Sequence, residues 1–285
     1  MSMSALPQLR TVALADGTHV PVLGLGTWRM GERPEDAAAE VAALKHGLDL
    51  GMTLIDTAEM YGDGGAEAIV ARALQGRRDE AFIVSKVYPH HAGAKSAIAA
   101  CERSLRRLAT DRLDLYLLHW PGSIPLAETV DAFERLRADG KILRWGVSNF
   151  DVHAMRNLSA TKNGAHCATN QVLYNLSARG IEFDLLPWCA SHNMPAMAYS
   201  PVDQGALASN RKLATVAATI GVSAAQLALA WSMRNPGVIA IPKSSTLSRV
   251  DENRRSAVLA LSPDVTGELD RLFPPPRGVT PLAML

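Results

Sequence analysis

Eight short apolar segments recur along the chain. They are, in order, VLGLGT from residue 22, MTLID from 52, AFIVSK from 81, LDLYLLH from 113, RWGVSN from 144, ATNQV from 168, MPAMAYS from 194 and GVIAIPK from 237. Several of them are apolar without alternation, as is typical of strands that are covered on both faces. The pattern therefore predicts buried parallel strands.

The segments between these strands have helical periodicity. Two apolar faces show it, Ala37, Val41, Leu44 and Leu48 before a stop at Gly51, and Ile98, Cys101, Leu105 and Leu108. Eight strand–helix units in roughly 250 residues predict an α/β protein with a single (β/α)8 TIM barrel. A doubly wound open sheet is the alternative architecture, but GLGTW lacks the G-x-G-x-x-G spacing of a dinucleotide fingerprint.

Three segments lie outside the regular repeat. An Asp16-Gly17 turn between short alternating runs predicts an N-terminal β-hairpin, which we expect to plug the barrel floor. Two helical segments, RKLATVAATIG and SAAQLALAWSMRN, follow the seventh strand, so one is an insertion. The proline-rich tail 273–285 is expected to be irregular. No linker divides the chain, so we predict one domain over 1–285 with its core at about 10–275.

Composition narrows the functional classes. The chain has 285 residues, 48% of them hydrophobic, and 29 basic residues against 28 acidic ones, so no overall field favours nucleic acid or an acidic membrane surface. The three cysteines form neither a disulfide framework nor a C-x-x-C pair. The N-terminus has no apolar leader segment, and no run of about 18 apolar residues occurs. We therefore expect a cytoplasmic protein.

Four polar residues follow or end three successive strands. They are Asp56 and Tyr61 after the second strand, Lys86 at the end of the third and His119 at the end of the fourth. In such barrels the loops at these strand ends build the active site. An ammonium stabilises a phenolate, a carboxylate holds the ammonium, and a histidine donates to a carbonyl oxygen. Such a set polarises a carbonyl and protonates the alkoxide as it forms.

Each of these residues also has an ordinary structural interpretation. A tyrosine after a glycine turn usually packs, a lysine that ends a strand is usually solvated, and a strand-end histidine is usually structural. Because all four residues are predicted to lie at the same rim of the barrel, a catalytic role is favoured over separate structural roles.

An ordered set of motifs then identifies a family. GLGTW, IDTAEMYGDGGAE, SKV, LDLYLLHWPG, GVSNF, NQVLYN, AYSPV and IPKSS resemble the signatures of the aldo-keto reductase family, over essentially residues 10 to 275. GTWRMGE and DTAEMYGDGGAE look like the bacterial methylglyoxal and small-aldehyde reductases. The resemblance implies that Asp56, Tyr61, Lys86 and His119 are the catalytic tetrad, with Tyr61 as the general acid.

The resemblance also implies NADP(H) as the cofactor. By it, Ser148, Asn149 and Gln171 bind the nicotinamide carboxamide, Tyr199 stacks on the ring, and Lys243, Ser244 and Arg249 contact the 2′-phosphate. The full implied set is Gly26, Thr27, Trp28, Asp56, Ser148, Asn149, Gln171, Tyr199, Ser200, Pro201, Val202, Gly205, Leu207, Ile241, Lys243, Ser244, Ser245, Arg249, Glu252 and Asn253. A cation with hydroxyls at a helix start also makes an anion site on physical grounds. The alternatives are a solvated basic helix face and, for Tyr199, a core aromatic.

The substrate side departs from the family pattern. Only WPGSIP separates His119 from the next helix, and NQVLYN has Val-Leu where the family often has an acid. We expect Trp28, Tyr88 and Trp120 to line a small pocket, although Trp120 could instead cover the barrel rim. The predicted activity is NADPH-dependent reduction of aldehydes and small 1,2-dicarbonyls by a monomer or weak homo-oligomer.

Other functions stay open at this stage. A metal hydrolase could use His90, His91 and His119, but no H-x-H pair or carboxylate set supports it, so no metal is expected. A redox-sensing binding subunit and a sugar or diketo-acid reductase are the remaining alternatives. Turnover of NADPH with small aldehydes separates an enzyme from a binding module.

Overall fold

A computed structural model describes residues 7–285. The prediction that the N-terminus carries no leader falls partly on residues 1–6, which lie outside the described residues. The strands are β1 Thr11–Ala13, β2 His19–Pro21, β3 Leu25–Gly26, β4 Leu54–Asp56, β5 Phe82–Val87, β6 Leu115–Leu118, β7 Trp145–Ser148, β8 Asn170–Leu173, β9 Ala196–Tyr199 and β10 Val238–Ala240. The α-helices are α1 Ala37–Asp49, α2 Gly65–Ala73, α3 Ser96–Leu108, α4 Leu126–Ala138, α5 Val152–Ser159, α6 Leu185–Ser191, α7 Arg211–Thr219, α8 Ala224–Ser232, α9 Leu247–Ser256 and α10 Pro263–Leu272.

Within residues 7–285, the eight strands β3 to β10 form one parallel sheet, in which each strand lies next to the strand that follows it in the chain. Parallel bridges Leu23↔Ala240 and Gly26↔Lys243 join the first of these strands to the last and close the sheet into a barrel. Strands such as β6, β7 and β8 are buried at every position. This burial explains why their sequences are apolar without alternation. The predicted (β/α)8 barrel is confirmed.

The N-terminal hairpin lies at the end of the barrel where the strands begin. β1 and β2 pair antiparallel around Gly17, whose φ is +83°. Arg144, the residue before β7, donates to Asp16 at 2.5 Å, and Arg10 donates to the Met233 carbonyl oxygen at 2.5 Å. Val12, Leu14 and Val20 are buried in the core. The hairpin therefore plugs the floor, as predicted.

The helices lie between successive strands, with additions near the C-terminus. Both α7 and α8 lie between β9 and β10, so the predicted insertion is confirmed. Ser223 and Gln226 form a capping box at the start of α8. No single helix within residues 7–285 is long and apolar enough to cross a membrane, and only the pair α7 and α8, bent by 83°, meets the length and composition criteria together. Residues after Phe273 form neither helix nor strand.

Candidate active site

Three side chains form one hydrogen-bonded group: Asp56 at the end of β4, Tyr61 on the loop after β4, and Lys86 on β5. Lys86 Nζ donates to Asp56 Oδ2 at 2.7 Å and to the Thr57 carbonyl oxygen at 2.9 Å. It lies 3.1 Å from the Tyr61 hydroxyl. The Lys86 side chain is 0% exposed and that of Asp56 is 4% exposed. The structure thus brings together the carboxylate, ammonium and phenol that the sequence placed on one rim.

The parallel register explains this meeting. Asp56 lies opposite Val84 on β5. Side chains two residues apart on a strand share a face, so Lys86 projects on the same side as Val84, one step nearer the end of the strand. The chain then turns through a 3₁₀ segment, Tyr61–Gly64, which returns the phenol to Lys86.

Burial and charge set the protonation of this group. Burial lowers the pKa of Lys86, but the Asp56 carboxylate and Tyr61 raise it, and the net pKa lies above the ordinary value. Burial raises the pKa of the Tyr61 phenol and outweighs the lowering by Lys86. At neutral pH the group therefore holds an ammonium and a protonated phenol. The sequence argument anticipated the lowering by Lys86 but not the larger effect of burial.

His119 follows β6 and lies beside Tyr61. Their ring centroids are 5.8 Å apart in an edge arrangement. Burial, reinforced by the positive charge of Lys86, lowers the pKa of His119 to about 2. Its Nδ1 is buried without a hydrogen-bond partner among the described residues, so Nε2 is the nitrogen left to face the cavity. His119 is therefore neutral at physiological pH.

Amide and hydroxyl groups from β7, β8 and β9 extend the polar wall. Gln171 Nε2 donates to Asp56 Oδ1 at 2.7 Å, and Ser148 Oγ donates to the Gln171 carbonyl oxygen at 2.8 Å. The Tyr199 hydroxyl donates to Asn149 Oδ1 at 3.0 Å. Asn149 has a φ of +61°, a left-handed conformation that asparagine tolerates better than most residues. Gln171 thus links the carboxylate of the tetrad to the opposite wall.

A cavity of about 800 Å³ opens onto these groups. Residues predicted for the cofactor or the chemistry that line it are Gly26, Thr27, Trp28, Asp56, Tyr61, His119, Trp120, Ser148, Asn149, Gln171, Tyr199, Ser200, Pro201, Val202, Gly205, Ile241, Lys243, Ser244, Arg249, Glu252 and Asn253. Side chains that were predicted separately, from Gly26 to Asn253, therefore share one cavity.

Four of the predicted residues do not line this cavity. Lys86 is fully buried behind the wall and contacts it through Asp56 and Tyr61. Leu207 is buried in the core with 1% exposure. Ser245 lies in the turn before α9 but outside the wall. Tyr88 packs edge-on against Trp120 at 5.9 Å between centroids, so Tyr88 supports the wall from behind.

The wall also contains residues that the sequence argument missed. They are Arg29, Met60, Ala208, Ser209, Ser223, Ala225, Met284 and Leu285. Gln204 and Pro242 also line the wall, within segments expected to contact the cofactor. Arg29 and Met60 adjoin the predicted Trp28 and Tyr61, so proximity in sequence was an available signal. Met284 and Leu285 belong to the irregular tail, whose path no periodicity indicates.

One end of the cavity is cationic. Lys243 and Arg249 flank the start of α9 and line the cavity, and neither forms an ion pair within residues 7–285. Glu252 and Asn253 follow on the same helix. Two cations without carboxylate partners give this end of the cavity a local positive charge on a protein whose net charge is only +1.

Metal and thiol chemistry find no support in the described residues. No group of three or more His, Cys, Asp or Glu there is placed to hold a metal ion. His91 contacts Glu59 at 3.0 Å, and His90 packs on Tyr88. The cysteines Cys101, Cys167 and Cys189 are buried, and burial raises the pKa of each thiol to about 12. They are therefore poor nucleophiles.

Comparisons with known proteins agree with this geometry. A model of the Aldo/keto reductase family matches residues 22–273. The chain is 50% identical over 283 residues to the methylglyoxal reductase YeaE of Escherichia coli, covering 98% of this chain and 100% of that protein. It is 36% identical over 262 residues to a glyoxal reductase of Bacillus subtilis, covering 92% of each.

A solved structure gives the same result for the fold. An aldo/keto reductase from Klebsiella pneumoniae, crystallised with NADP and acetate, is similar with a TM-score of 0.95. The two are 52% identical, and the match covers 97% of this chain and 100% of that one.

Proposed function

The chain belongs to the aldo/keto reductase family, and from that premise we propose that it reduces aldehydes and small 1,2-dicarbonyls to alcohols with NADPH. One observation carries the proposal. A protonated phenol, Tyr61, lies 3.1 Å from the buried Lys86 ammonium and faces a cavity that has a neutral histidine beside it. This is the arrangement that proton donation to a carbonyl oxygen requires.

The residues assigned to the chemistry each have a task. Tyr61 donates its proton to the oxygen of the carbonyl as the alkoxide develops. Lys86, held by Asp56 at 2.7 Å, stabilises the phenolate that remains. His119, which is neutral, donates from Nε2 to the same oxygen and orients it.

The donor set of the cavity fits NADPH. Ser148, Asn149 and Gln171 offer amide and hydroxyl groups near the tetrad, and Lys243 and Arg249 offer cations at the other end. We assign the former to the nicotinamide carboxamide and the latter to the 2′-phosphate. When bound, the cofactor supplies the hydride.

The remaining wall favours small carbonyl compounds with apolar substituents. Trp28, Met60, Trp120, Met284 and Leu285 line the cavity together with Tyr61 and His119. Few polar groups beyond the tetrad are available to bind a hydroxylated substrate, which argues against a sugar reductase. The relatives named for methylglyoxal and glyoxal reduction support dicarbonyl substrates.

The decisive experiment follows NADPH oxidation by absorbance with methylglyoxal, other dicarbonyls, aryl aldehydes and sugars. Tyr61→Phe is expected to lower kcat by at least about 100-fold while NADPH still binds, because the proton donor acts on the transition state. Tyr88→Phe is the matched control, since Tyr88 lies outside the cavity wall. Equal activity of both variants would refute the assignment of Tyr61. Absence of turnover in the unmodified protein would refute the function and favour a binding subunit.

We further propose a single-domain monomer in the cytoplasm. One hydrophobic cluster extends from Leu9 to Leu269, which supports one domain. Light scattering tests the monomer, and cell fractionation tests the location.

A further inference from the structure

The loop that carries Tyr61 has an unusual backbone. Directly after the tyrosine, Gly62, Asp63 and Gly64 have φ values of +57°, +50° and +89°. Glycine adopts the left-handed conformation at little cost, but for Asp63 it costs energy, and residues normally visit this region singly and not in a run of three. The position of the phenol therefore depends on what packs against this turn.

One side of the turn rests on the loop after β3. A Cβ added at Gly65 would lie 2.6 Å from the Gly31 carbonyl oxygen, so the two backbones are in direct contact. The Gly31 amide donates to the carboxylate of Glu40 on α1 at 3.0 Å, and Glu40 is buried. This side is fixed by backbone packing.

The other side rests on a charged side chain from α3. The Arg107 side chain passes so close to Gly64 that an added Cβ there would overlap its Cδ and Nε. Arg107 Nε donates to Glu67 Oε2 at 2.6 Å, and Ser85 Oγ donates to Glu67 Oε1 at 2.6 Å. Glu67 is fully buried, and Ser85 precedes Lys86 on β5.

We propose that Glu67 and Arg107 are positioning residues for Tyr61, because their ion pair supports the left-handed turn and ties it to the strand that carries Lys86. The inference rests on the proposed role of Tyr61 as the proton donor. Neither side chain of the pair lines the cavity, so the pair acts through the turn and through its link to β5. Its function is to hold the phenol at hydrogen-bond distance from the ammonium.

Substitutions in the pair test this role by kinetics. Arg107→Ala and Glu67→Gln are expected to lower kcat by about 10- to 100-fold, since small displacements at a reacting group have effects of that size. The Kd for NADPH is expected to change by less than about twofold, because the cofactor assignments lie elsewhere. Arg107→Lys keeps the charge and is expected to recover part of kcat. Unchanged kcat in a folded Arg107→Ala protein would overturn the proposal.

A second ion pair provides the matched control. Arg78 pairs with Asp114 at 2.8 Å, and both side chains are largely buried near the starts of β5 and β6. Arg78→Ala is expected to lower stability as Arg107→Ala does and to leave kcat unchanged at temperatures where it is folded. Equal losses of kcat in the two variants would mean that Arg107 is merely structural.

Two readouts report the position of the phenol itself. Reduction needs protonated Tyr61, so kcat falls as the pH rises through the pKa of Tyr61. Lys86 lowers that pKa, so a phenol displaced from Lys86 has a higher pKa and the alkaline limb moves to higher pH in Arg107→Ala. The ¹³Cζ resonance of Tyr61 in cofactor-free protein, assigned by its loss in Tyr61→Phe, is expected to shift as well. An unmoved limb and an unmoved resonance would overturn the proposal even if kcat fell.

A double-mutant cycle isolates the contact. Gly64→Ala adds the Cβ that overlaps Arg107, and its backbone strain at a φ of +89° is the same in any background. We expect Gly64→Ala to lower kcat less in Arg107→Ala than in the unmodified protein, by at least about threefold. Additive effects would contradict the contact. Failure of Tyr61→Phe to lose activity would instead refute the proposed function, so the two failures are distinguishable.

Discussion

At the scale of single residues, His119 shows how burial fixes a protonation state. Its pKa in the folded protein is about 2, against an ordinary value of 6.5. Below pH 6.5 the unfolded chain binds a proton at this residue that the folded protein does not bind. Stability from this residue is therefore fully present above pH 6.5 and is lost as the pH falls towards 2.

Because of this linkage, the free energy of unfolding depends on pH with a slope that can be measured. We expect the free energy of unfolding to fall by about 1.4 kcal/mol per pH unit more steeply in the unmodified protein than in His119→Asn between about pH 6 and pH 4. Urea unfolding at several pH values measures both slopes. The exposed His153, replaced by Asn, serves as the control and should leave the slope unchanged. Parallel slopes for His119→Asn would show that the histidine is protonated when folded.

Arg249 gives a residue-scale test of cofactor choice. NADPH carries a 2′-phosphate that NADH lacks, and a charge-assisted hydrogen bond contributes roughly 1.5–3 kcal/mol. Arg249→Ala is therefore expected to raise the Kd for NADPH about tenfold or more and to leave that for NADH nearly unchanged. Arg255→Ala, an exposed change on the same helix, is the control. Titration by protein fluorescence measures the Kd for NADPH and for NADH in the unmodified protein and in both variants. Equal losses of affinity for both cofactors in Arg249→Ala would remove Arg249 from the phosphate site.

Sequence reasoning was most effective for residues whose position follows from strand register. Asp56, Lys86 and His119 end or follow adjacent parallel strands, and such ends meet at one rim. The hydrogen bond from Gln171 to Asp56 was not predicted, because it crosses the barrel between residues 115 apart in the chain. The net rise in the pKa of Tyr61 was also missed, since it depends on burial that only the folded loop produces.

At the scale of elements, the sequence predicted the location of the helices and strands but not the path of the irregular tail. Strands and helices were located because their apolar periods follow from the geometry of each element. The tail after Phe273 has no apolar periodicity, so the sequence predicted an irregular segment but could not predict which part of the protein it contacts. It brings Met284 and Leu285 to the cavity, and the Leu285 backbone lies next to the Tyr199 hydroxyl. Burial raises the pKa of that phenol to about 12, and the Leu285 backbone only partly offsets the rise.

The tail is therefore expected to influence substrate selection. Met284→Ala is expected to raise KM for apolar aldehydes such as hexanal by about threefold, because Met284 is 50% exposed and loses only part of a buried contact. KM for methylglyoxal, which is too small to need this wall, should change little. Val279→Ala alters an exposed tail residue outside the wall and is the control. Equal changes for both substrates in Met284→Ala would exclude Met284 from the substrate pocket.

At the scale of the whole molecule, the barrel depends on one closing seam. The number and type of its units were predictable from the repeat of strand and helix, but the closure joins residues more than 200 positions apart. At the seam the Gly24 amide donates to the Ala240 carbonyl oxygen at 2.8 Å. The bridge Gly26↔Lys243 places a cofactor-assigned cation on the same seam. We therefore expect closure and cofactor binding to be coupled through this seam.

Gly24 allows this coupling to be tested with a single methyl group. A Cβ added there would lie 2.6 Å from Leu54 Cδ2 and 2.9 Å from the Leu54 carbonyl oxygen. Since the carbonyl is backbone and cannot rotate away, Gly24→Ala is expected to push this segment away from β4 and to cost about 1–3 kcal/mol of unfolding free energy. Because the same segment also forms the seam through Gly24 and Gly26, its displacement should raise the Kd for NADPH by disturbing Lys243.

A glycine-to-alanine substitution in α10 is expected to change the free energy of unfolding in the opposite direction. An added Cβ at Gly267 meets no atom within 4 Å, so Gly267→Ala is expected to stabilise the protein by up to about 1 kcal/mol through helix propensity and to leave NADPH binding unchanged. Urea midpoints measure the stability of the two variants, and fluorescence titrations measure their Kd for NADPH. A Gly24→Ala protein that unfolds at the unmodified midpoint would show that the packing against Leu54 adjusts to the methyl group. One that is destabilised but binds NADPH normally would show that barrel closure and the cation site are independent.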